Sequence, residues 1–244
     1  MSTSFLSSSL AVLDWDAWAP GRAGKVAWRD GCPALADDGS APAVLPMPPA
    51  LRRRAGRNDR LGLEPGYGLA PAGQDLPTVF ASRHGQVARS ALLLEALAQG
   101  TLLSPMDFSL SVHNATAGLF SIARGDRSAS SSLAAGGEEL AAGFLDAAGQ
   151  VLEGADQVLL CAHDEPPPAL YNGHWAREEG VVGLALLLGA VRPGTLRLTL
   201  SLGAWDGPDL GEAQALLLGG LLARGGGTGR WARGGRRWVF ELDS

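Results

Sequence analysis

Three groups of side chains in this chain of 244 residues have types and spacing that could do chemistry. Cys161 and His163 lie two apart in QVLLCAHDE, a run that reads as a strand, so their side chains share a face, with Asp164 and Glu165 at the strand end. A thiol beside an imidazole could serve as an activated nucleophile or belong to a metal-ligand set. A buried, inert Cys with a His at a strand edge fits the same letters, and nothing else in the sequence completes a triad. His113-Asn114 offers either a polar pair in a pocket or an Asn capping the helix that follows. Arg52, Arg53, Arg54, Arg57 and Arg60 make a dense basic patch on an acidic chain, either a solvated face or a docking site for an acidic partner.

Signatures of other chemistries are missing from the sequence. It contains no C-x-x-C, H-E-x-x-H, G-x-S-x-G or Walker A pattern, and the glycines from 225 to 229 do not link a strand to a helix as dinucleotide binding requires. No metal and no cofactor is therefore expected. A net charge of −5 argues against nonspecific nucleic-acid binding. Two cysteines, Cys32 and Cys161, are too few for a disulfide scaffold. With 46% apolar residues the chain can bury a core, about 70% of its surface by size scaling, as one domain over 1–244. No basic residue precedes Arg22, Asp14 and Asp16 interrupt the first apolar run, and the block Val181 to Val191 has about half the length of a membrane span. A soluble cytoplasmic protein with no membrane contact is the expectation.

The elements that must position these groups alternate between strand and helix patterns. Ser9–Trp18, Leu76–Ser82, Gln157–Ala162 and Arg237–Leu242 read as strands, and Val181–Gly189 and Thr195–Leu202 as a pair around Arg192-Pro193-Gly194. Gln86–Gln99, Asn114–Ala123, Glu138–Leu152 and Gly211–Arg224 read as helices, with Gly100 placed as a C-cap and two acids in the first turn of the third. Residues 31–76, rich in Pro, Gly, Ala and Arg, read as irregular, with at best a helical turn or two around Arg52–Arg60. Gly225–Gly235 reads as loose. This order predicts a three-layer α/β domain with a five-stranded mixed sheet flanked by helices. The Ala- and Gly-rich helix from Glu138 should be central and packed on both sides.

Read whole, residues 109–165 resemble the N-terminal half of a β-ketoacyl synthase of the thiolase fold. In that family an Asn-x-x-Ala-Gly-x-x-Ser-Ile segment leads to a Gly, then to a short strand of small residues and the nucleophile at the start of a long helix, then to an "ADxVL" strand. The matching residues here are Asn114, Ala117, Gly118, Ser121, Ile122 and Gly125, then Arg127–Ser132, Ala134-Ala135, and Ala155-Asp156-Gln157-Val158-Leu159. Ala17-Trp18-Ala19-Pro20-Gly21 looks like the end of the family's first strand, and Val79–Gly85 like the second strand and its loop. The resemblance covers about residues 9–190. Residues 206–244 match no family motif and are the candidate for covering the sheet.

Two departures shape what the resemblance implies. The family's nucleophile is a Cys, and here Ser132-Leu133-Ala134 is followed by Ala135, whose methyl group holds no thioester. A full synthase is about twice as long, and its second half brings two His; the four His here, at 84, 113, 163 and 174, lie in or just after the matching half. The expectation is a non-catalytic subunit, similar to the chain-length factors found with aryl-polyene pigment and fatty-acid-type biosynthesis. It would pair with an active ketosynthase, or with itself, and meet acyl carrier protein indirectly, with the five arginines as a docking surface. The interface would be Arg127, Ser128, Ala129, Ser130, Ser131 and Ser132 with Ala134 and Ala135, and Asn114 and Phe120 close behind, burying on the order of 2,000 Å² or more. The alternatives are an enzyme that moved its chemistry to Cys161 and His163, or a stand-alone acyl-binding protein on the same fold.

Overall fold

The computed structural model describes residues 4–31, 36–71, 73–171, 180–211 and 213–244; Cys32 and His174 lie outside the described residues. In chain order the elements are β1 (Ser4–Ala19), β2 (Arg22–Ala23), α1 (Gly24–Arg29), α2 (Pro49–Arg52), α3 (Arg57–Leu69), β3 (Thr78–Ala81), α4 (Val87–Ala98), α5 (Pro105–Ser109), α6 (Ala115–Arg124), β4 (Ser130–Leu133), α7 (Glu139–Leu152), β5 (Gln157–Asp164), β6 (Val182–Gly189), β7 (Arg197–Ala204), α8 (Gln214–Arg224), β8 (Gly227–Arg233) and β9 (Arg236–Asp243).

One mixed sheet runs β4-β3-β5-β6-β1-β7-β9-β8, with β2 beside the end of β1. Strand β3 is parallel to β4 and β5, and the remaining pairs are antiparallel. The sheet has nine strands where five are expected: beyond β4-β3-β5-β6-β1 it continues through β7, β9 and β8, and β2 adds a short pair. The length of β1 allows this. Its second half, from Ala11, pairs with β6, and its first half, up to Ala11, pairs with β7. Strands β6 and β7 therefore have β1 between them and are not the adjacent pair read around Pro193.

Helices cover both faces, which makes the domain three-layered. On one face α7, α8 and Trp28 of α1 pack on Val79, Leu160, Leu184, Leu186 and Leu198. On the other, α3 and α6 pack on Phe80, Leu159, Cys161, Ala185 and Leu187. The alternation along β5 and β6 sorts these side chains, as a period of two requires. Gly143 brings α7 down onto the sheet: a Cβ there would lie 2.6 Å from Leu160 Cδ1 and 3.2 Å from Ala81 Cβ. The helix is buried along that side and flanked by α8, but its outer face, with Ala142, Asp146 and Gln150 half-buried and Leu152 exposed, is not packed as expected, because α7 lies in the outer layer and only its inner face meets the sheet.

Two segments read as irregular are regular. Residues 57–69 form α3 despite Pro65 and three glycines. Local propensity disfavours that helix, but its contacts require small residues. A Cβ at Gly62 would lie 2.6 Å from the His163 ring, one at Gly66 3.0 Å from Cys161 Sγ, and one at Gly183 of β6 within 1.9 Å of the Leu61 carbonyl oxygen. Pro65 has no N–H for that carbonyl four residues back, and it is Gly183 that accommodates it. Residues 227–233 form β8, not a loose segment. Trp231 and Ala232 are buried against β9, and Gly229 lies beneath Leu217 and Leu221 of α8. Here packing outweighs the glycine entropy that made the segment look unstructured.

Candidate functional site

The turn between β4 and α7 carries Ala134 and Ala135 at the head of a long buried helix, where N–H groups are left without helical acceptors. Glu139 fills that position. Its Oε1 accepts from Ala135 N–H at 3.1 Å and from Gly137 N–H at 2.8 Å, and the side chain is buried. Its neighbour Glu138 ties the same turn to the C-terminal hairpin. Arg236 Nη2 lies 2.8 Å from Glu138 Oε1, and Trp238 Nε1–H donates to Oε2 at 3.1 Å. From α8, Gln214 Oε1 accepts from the Ala141 N–H. A small cavity of about 50 Å³ stands before this helix start, with Gly137, Glu139, His163, Asp164, Gln214 and Trp231 among its walls. Glu138 and Glu139 are visible in the sequence as two acids of a first turn, and the only letters that point to these tasks are Glu-Glu directly after Gly-Gly. Gln214 left no signal, because only the sheet order brings α8 to α7.

Beside the cavity, the end of β5 is held by buried polar groups. Asp164 accepts from Ser82 Oγ–H at 2.9 Å and from the N–H groups of Arg83 and His84 at 2.9 and 3.2 Å. Burial, with the charge of Glu139, raises its carboxyl to about 7. His163 Nδ1–H donates to Asn58 Oδ1 at 3.2 Å, while Asn58 Nδ2–H donates to the Gly85 carbonyl at 2.6 Å. Desolvation, with the nearby His113, lowers the His163 imidazole to about 3, so it is neutral at ordinary pH.

Cys161 and His163 do share a face of β5, as the spacing requires. Cys161, however, is fully buried in the layer beneath α3, and burial pushes its thiol far up. A thiol kept protonated and shut from solvent is not a nucleophile. The second pair also has structural work. His113 Nε2–H donates to the Ser82 carbonyl at 2.7 Å, and Asn114 stands at the N-cap position of α6 without a side-chain cap bond, exposed. No group of three or more His, Cys, Asp and Glu that could hold a metal ion occurs among the described residues.

The five arginines divide. Arg57 is spent on Asp37, the Ser40 carbonyl and Glu165, and Arg60 on the carbonyls of Ala55, Pro42 and Arg52. Arg52 reaches the Leu45 carbonyl at 3.3 Å. These three pin the segment 37–45 across the start of α3. Arg53 and Arg54 are exposed and share a surface hollow with Arg89, Met106 and Leu110.

Strand β4 is one end of the sheet, and among the described residues nothing pairs with its outer side. Thr78 N–H donates to Ala129 O and Ser82 N–H to Leu133 O. In a parallel ladder this register turns the backbone groups of 129, 131 and 133 toward β3 and those of Ser130 and Ser132 outward. Arg127, Ala129, Ser130 and Ala134 are exposed, and Ser128, Ser131, Ser132 and Ala135 half-buried. Phe120 is 1% exposed, its ring tilted against Tyr67 and edge-on to Phe80 at ring distances of 5.2 and 5.5 Å. It stands behind the edge as core and offers no surface to a partner. The surface beside the edge is apolar and exposed, which no motif in the sequence signals. Helix α4 buries only Ala91, and α5 buries nothing. Leu92, Leu94, Leu97, Met106, Phe108 (63% exposed), Leu102 (96% exposed), Val112 and Ile122 face outward, and α6, which carries Ile122, packs on β3 and β4. An open cavity of about 600 Å³ lies between α4, the Leu102-Leu103 loop and the start of α3, with Gln86, Arg89, Asn58 and Glu165 on its polar wall.

This arrangement, a short small-residue strand leading into a buried helix behind a mixed sheet, agrees with a sequence-family match. The family described as beta-ketoacyl synthase, N-terminal domain, matches residues 26–214. The chain belongs to this family. Among solved structures, the ketosynthase ApeO in complex with its chain length factor ApeC, from Xenorhabdus doucetiae, contains a chain that is 25% identical at a TM-score of 0.83. The alignment covers 96% of this chain and 99% of that one. The ishigamide ketosynthase/chain length factor aligns at 14% identity and TM-score 0.62, covering 81% of this chain and 68% of that one. The ketosynthase from module 6 of the bacillaene synthase of Bacillus subtilis 168 aligns at 11% and 0.55, covering 82% of this chain and 42% of its own. The last two show the shared fold. No curated protein sequence matches this one. It is a β-ketoacyl synthase-like chain of the thiolase fold. No helix among its described residues is long and apolar enough to cross a membrane.

Proposed function

We propose that this chain is a non-catalytic, chain-length-factor-type subunit that pairs with an active β-ketoacyl synthase in fatty-acid or polyene-type biosynthesis. The observation that carries the reading is the open outer edge of β4, bordered by the uncovered apolar surface of α4, α5 and α6. A row of free backbone groups beside exposed Leu, Met and Phe is what a second chain would cover. The 25% identity to a chain of a ketosynthase–chain length factor complex, over nearly the whole of both chains, supports the same partner class. Ala135 at the head of α7 leaves no side chain to carry an acyl group, which supports the non-catalytic part. The buried Cys161 gives no support to relocated chemistry.

In this reading the cavity under α4 bounds the space offered to an acyl chain once the partner closes it. Arg53 and Arg54, the two arginines of the cluster that face solvent, offer the pair a basic spot for an acidic carrier protein. The test is mass by light scattering, alone and with a full-length active ketosynthase from the same organism. A stable one-to-one pair supports the reading, and a self-dimer that excludes the synthase removes the synthase as partner. A chain monomeric in both cases sinks the subunit reading and leaves the stand-alone acyl-binding alternative, which the same cavity would serve. Mass spectrometry after incubation with acyl carrier protein should find no acyl adduct on the chain.

A further inference from the structure

Beyond the methyl group of Ala135, the head of α7 carries a second feature that bears on acyl chemistry. Ala135 and Gly137 both aim their N–H groups at one point, at 3.1 and 2.8 Å, and a carboxylate oxygen of Glu139 sits there. Two convergent N–H groups at the start of a 14-residue helix form an electropositive cradle. In acyl transfer such a cradle is where negative charge would gather on the substrate oxygen. A second observation marks the space in front of it as a polar site. Gln214, 4% exposed, lines the same small cavity, and its Nε2 finds no acceptor among the described residues while its Oε1 is held by Ala141 N–H.

We infer that Glu139 is a built-in anion that closes this cradle, so the chain is barred from acyl chemistry by an occupied site and not only by a missing thiol. The inference rests on the non-catalytic reading above and adds the residue that enforces it. An oxyanion forming beside Ala135 would meet a carboxylate where it needs donors. A thiolate placed at 135 would feel that same charge at close range. The like charge would hold the thiol protonated, opposing the helix dipole that would otherwise favour its ionisation.

The test uses the isolated chain, so a failure to pair with a synthase does not touch it. In a Cys32→Ser background, Ala135→Cys is alkylated with iodoacetamide across pH 6 to 11, with and without Glu139→Gln. Cys161 is buried and protonated and contributes no background. Expected is a thiol at 135 titrating above the ordinary value of about 8.5, moved down by roughly one unit when Glu139 becomes Gln, about a tenfold rise in rate near neutral pH. Equal titration in both variants overturns the inference. Amide hydrogen exchange, read in the chain with Ala135 intact, gives a second measure. Ala135 and Gly137 should be protected at least about tenfold more in the wild type than in Glu139→Ala, with Leu160 unchanged as a check that the fold is kept. Unprotected amides at both positions in the wild type also overturn it, whether or not the variants fold.

Discussion

The two ends of the sheet are built to opposite rules. At the β8 end the chain finishes its own surface. The segment before α8 crosses the edge, where Leu210 exchanges backbone hydrogen bonds with Ala232 at 2.8 and 3.0 Å. Trp231 and Trp238 are buried, and from residue 197 onward no large apolar side chain is exposed among the described residues. At the β4 end the strand has four residues, its outer groups are open, and apolar side chains crowd the neighbouring helices. An edge that carries its own cover belongs to folding. In the subunit reading proposed above, an edge left open beside leucines serves assembly, because a partner that buries that surface would stabilise it.

The contrast can be broken from either end. The largest effect should come from Trp238→Ala, which removes a buried ring and its bond to Glu138 Oε2. Thermal and denaturant unfolding should show a loss of about 3–5 kcal/mol, while the fraction of chain still folded pairs normally. A variant that keeps its stability but loses its partner would put the interface at the wrong end. Next, Leu102→Asp with Phe108→Asp should abolish pairing in light scattering, with monomer stability changed by no more than about 0.5 kcal/mol, since both side chains are in solvent.

Ser130→Pro sharpens the same point at the backbone. Its N–H faces outward, so the variant should fold but pair at least roughly 30-fold more weakly, about 2 kcal/mol. Ser131→Pro, whose N–H faces β3, should instead lower the unfolding temperature. Equal effects of the two on pairing would mean that the partner does not use this edge.

A pH series tests the buried groups between the ends. The Asp164 carboxyl is raised to about 7 in the folded chain from near 4 unfolded, so its contribution is present below pH 4 and is lost as pH rises toward 7. His163 is lowered to about 3, so its contribution is present above about 6.5 and is lost as pH falls. The two slopes oppose each other between about pH 4 and 6.5. Asp164→Asn should therefore leave a stability that climbs with pH across that window in urea unfolding, where the wild type is flatter. A variant curve parallel to the wild type would contradict these shifts. The smallest effect is expected of Arg53→Glu with Arg54→Glu. Carrier-protein turnover by the pair should slow by at most about fivefold at low salt and recover at high salt. No change at low salt would make the two arginines an ordinary solvated surface.

The sequence determined the parts whose physics is local or periodic. Apolar runs placed β3, β5 and β6, helical spacing placed α4, α6 and α7 to within a residue or two, and the motif order from Asn114 to Leu159 identified the fold. Wherever a residue's value depends on a distant neighbour, only the tertiary structure could decide. Gly62 and Gly66 look like helix breakers until they meet His163 and Cys161 across the layer. The five arginines are alike as letters, yet Arg57 and Arg60 turn inward to pin residues 37–45 while Arg53 and Arg54 stay in water. Leu102 and Phe108 are as apolar as the side chains of the core, yet the fold leaves them outside. Glu139 is one acid of a helix start until the turn bends Ala135 and Gly137 onto its carboxylate. Composition and period specify which segments bury a face, but which groups meet depends on strand order and close approach, and those are set by the whole chain at once.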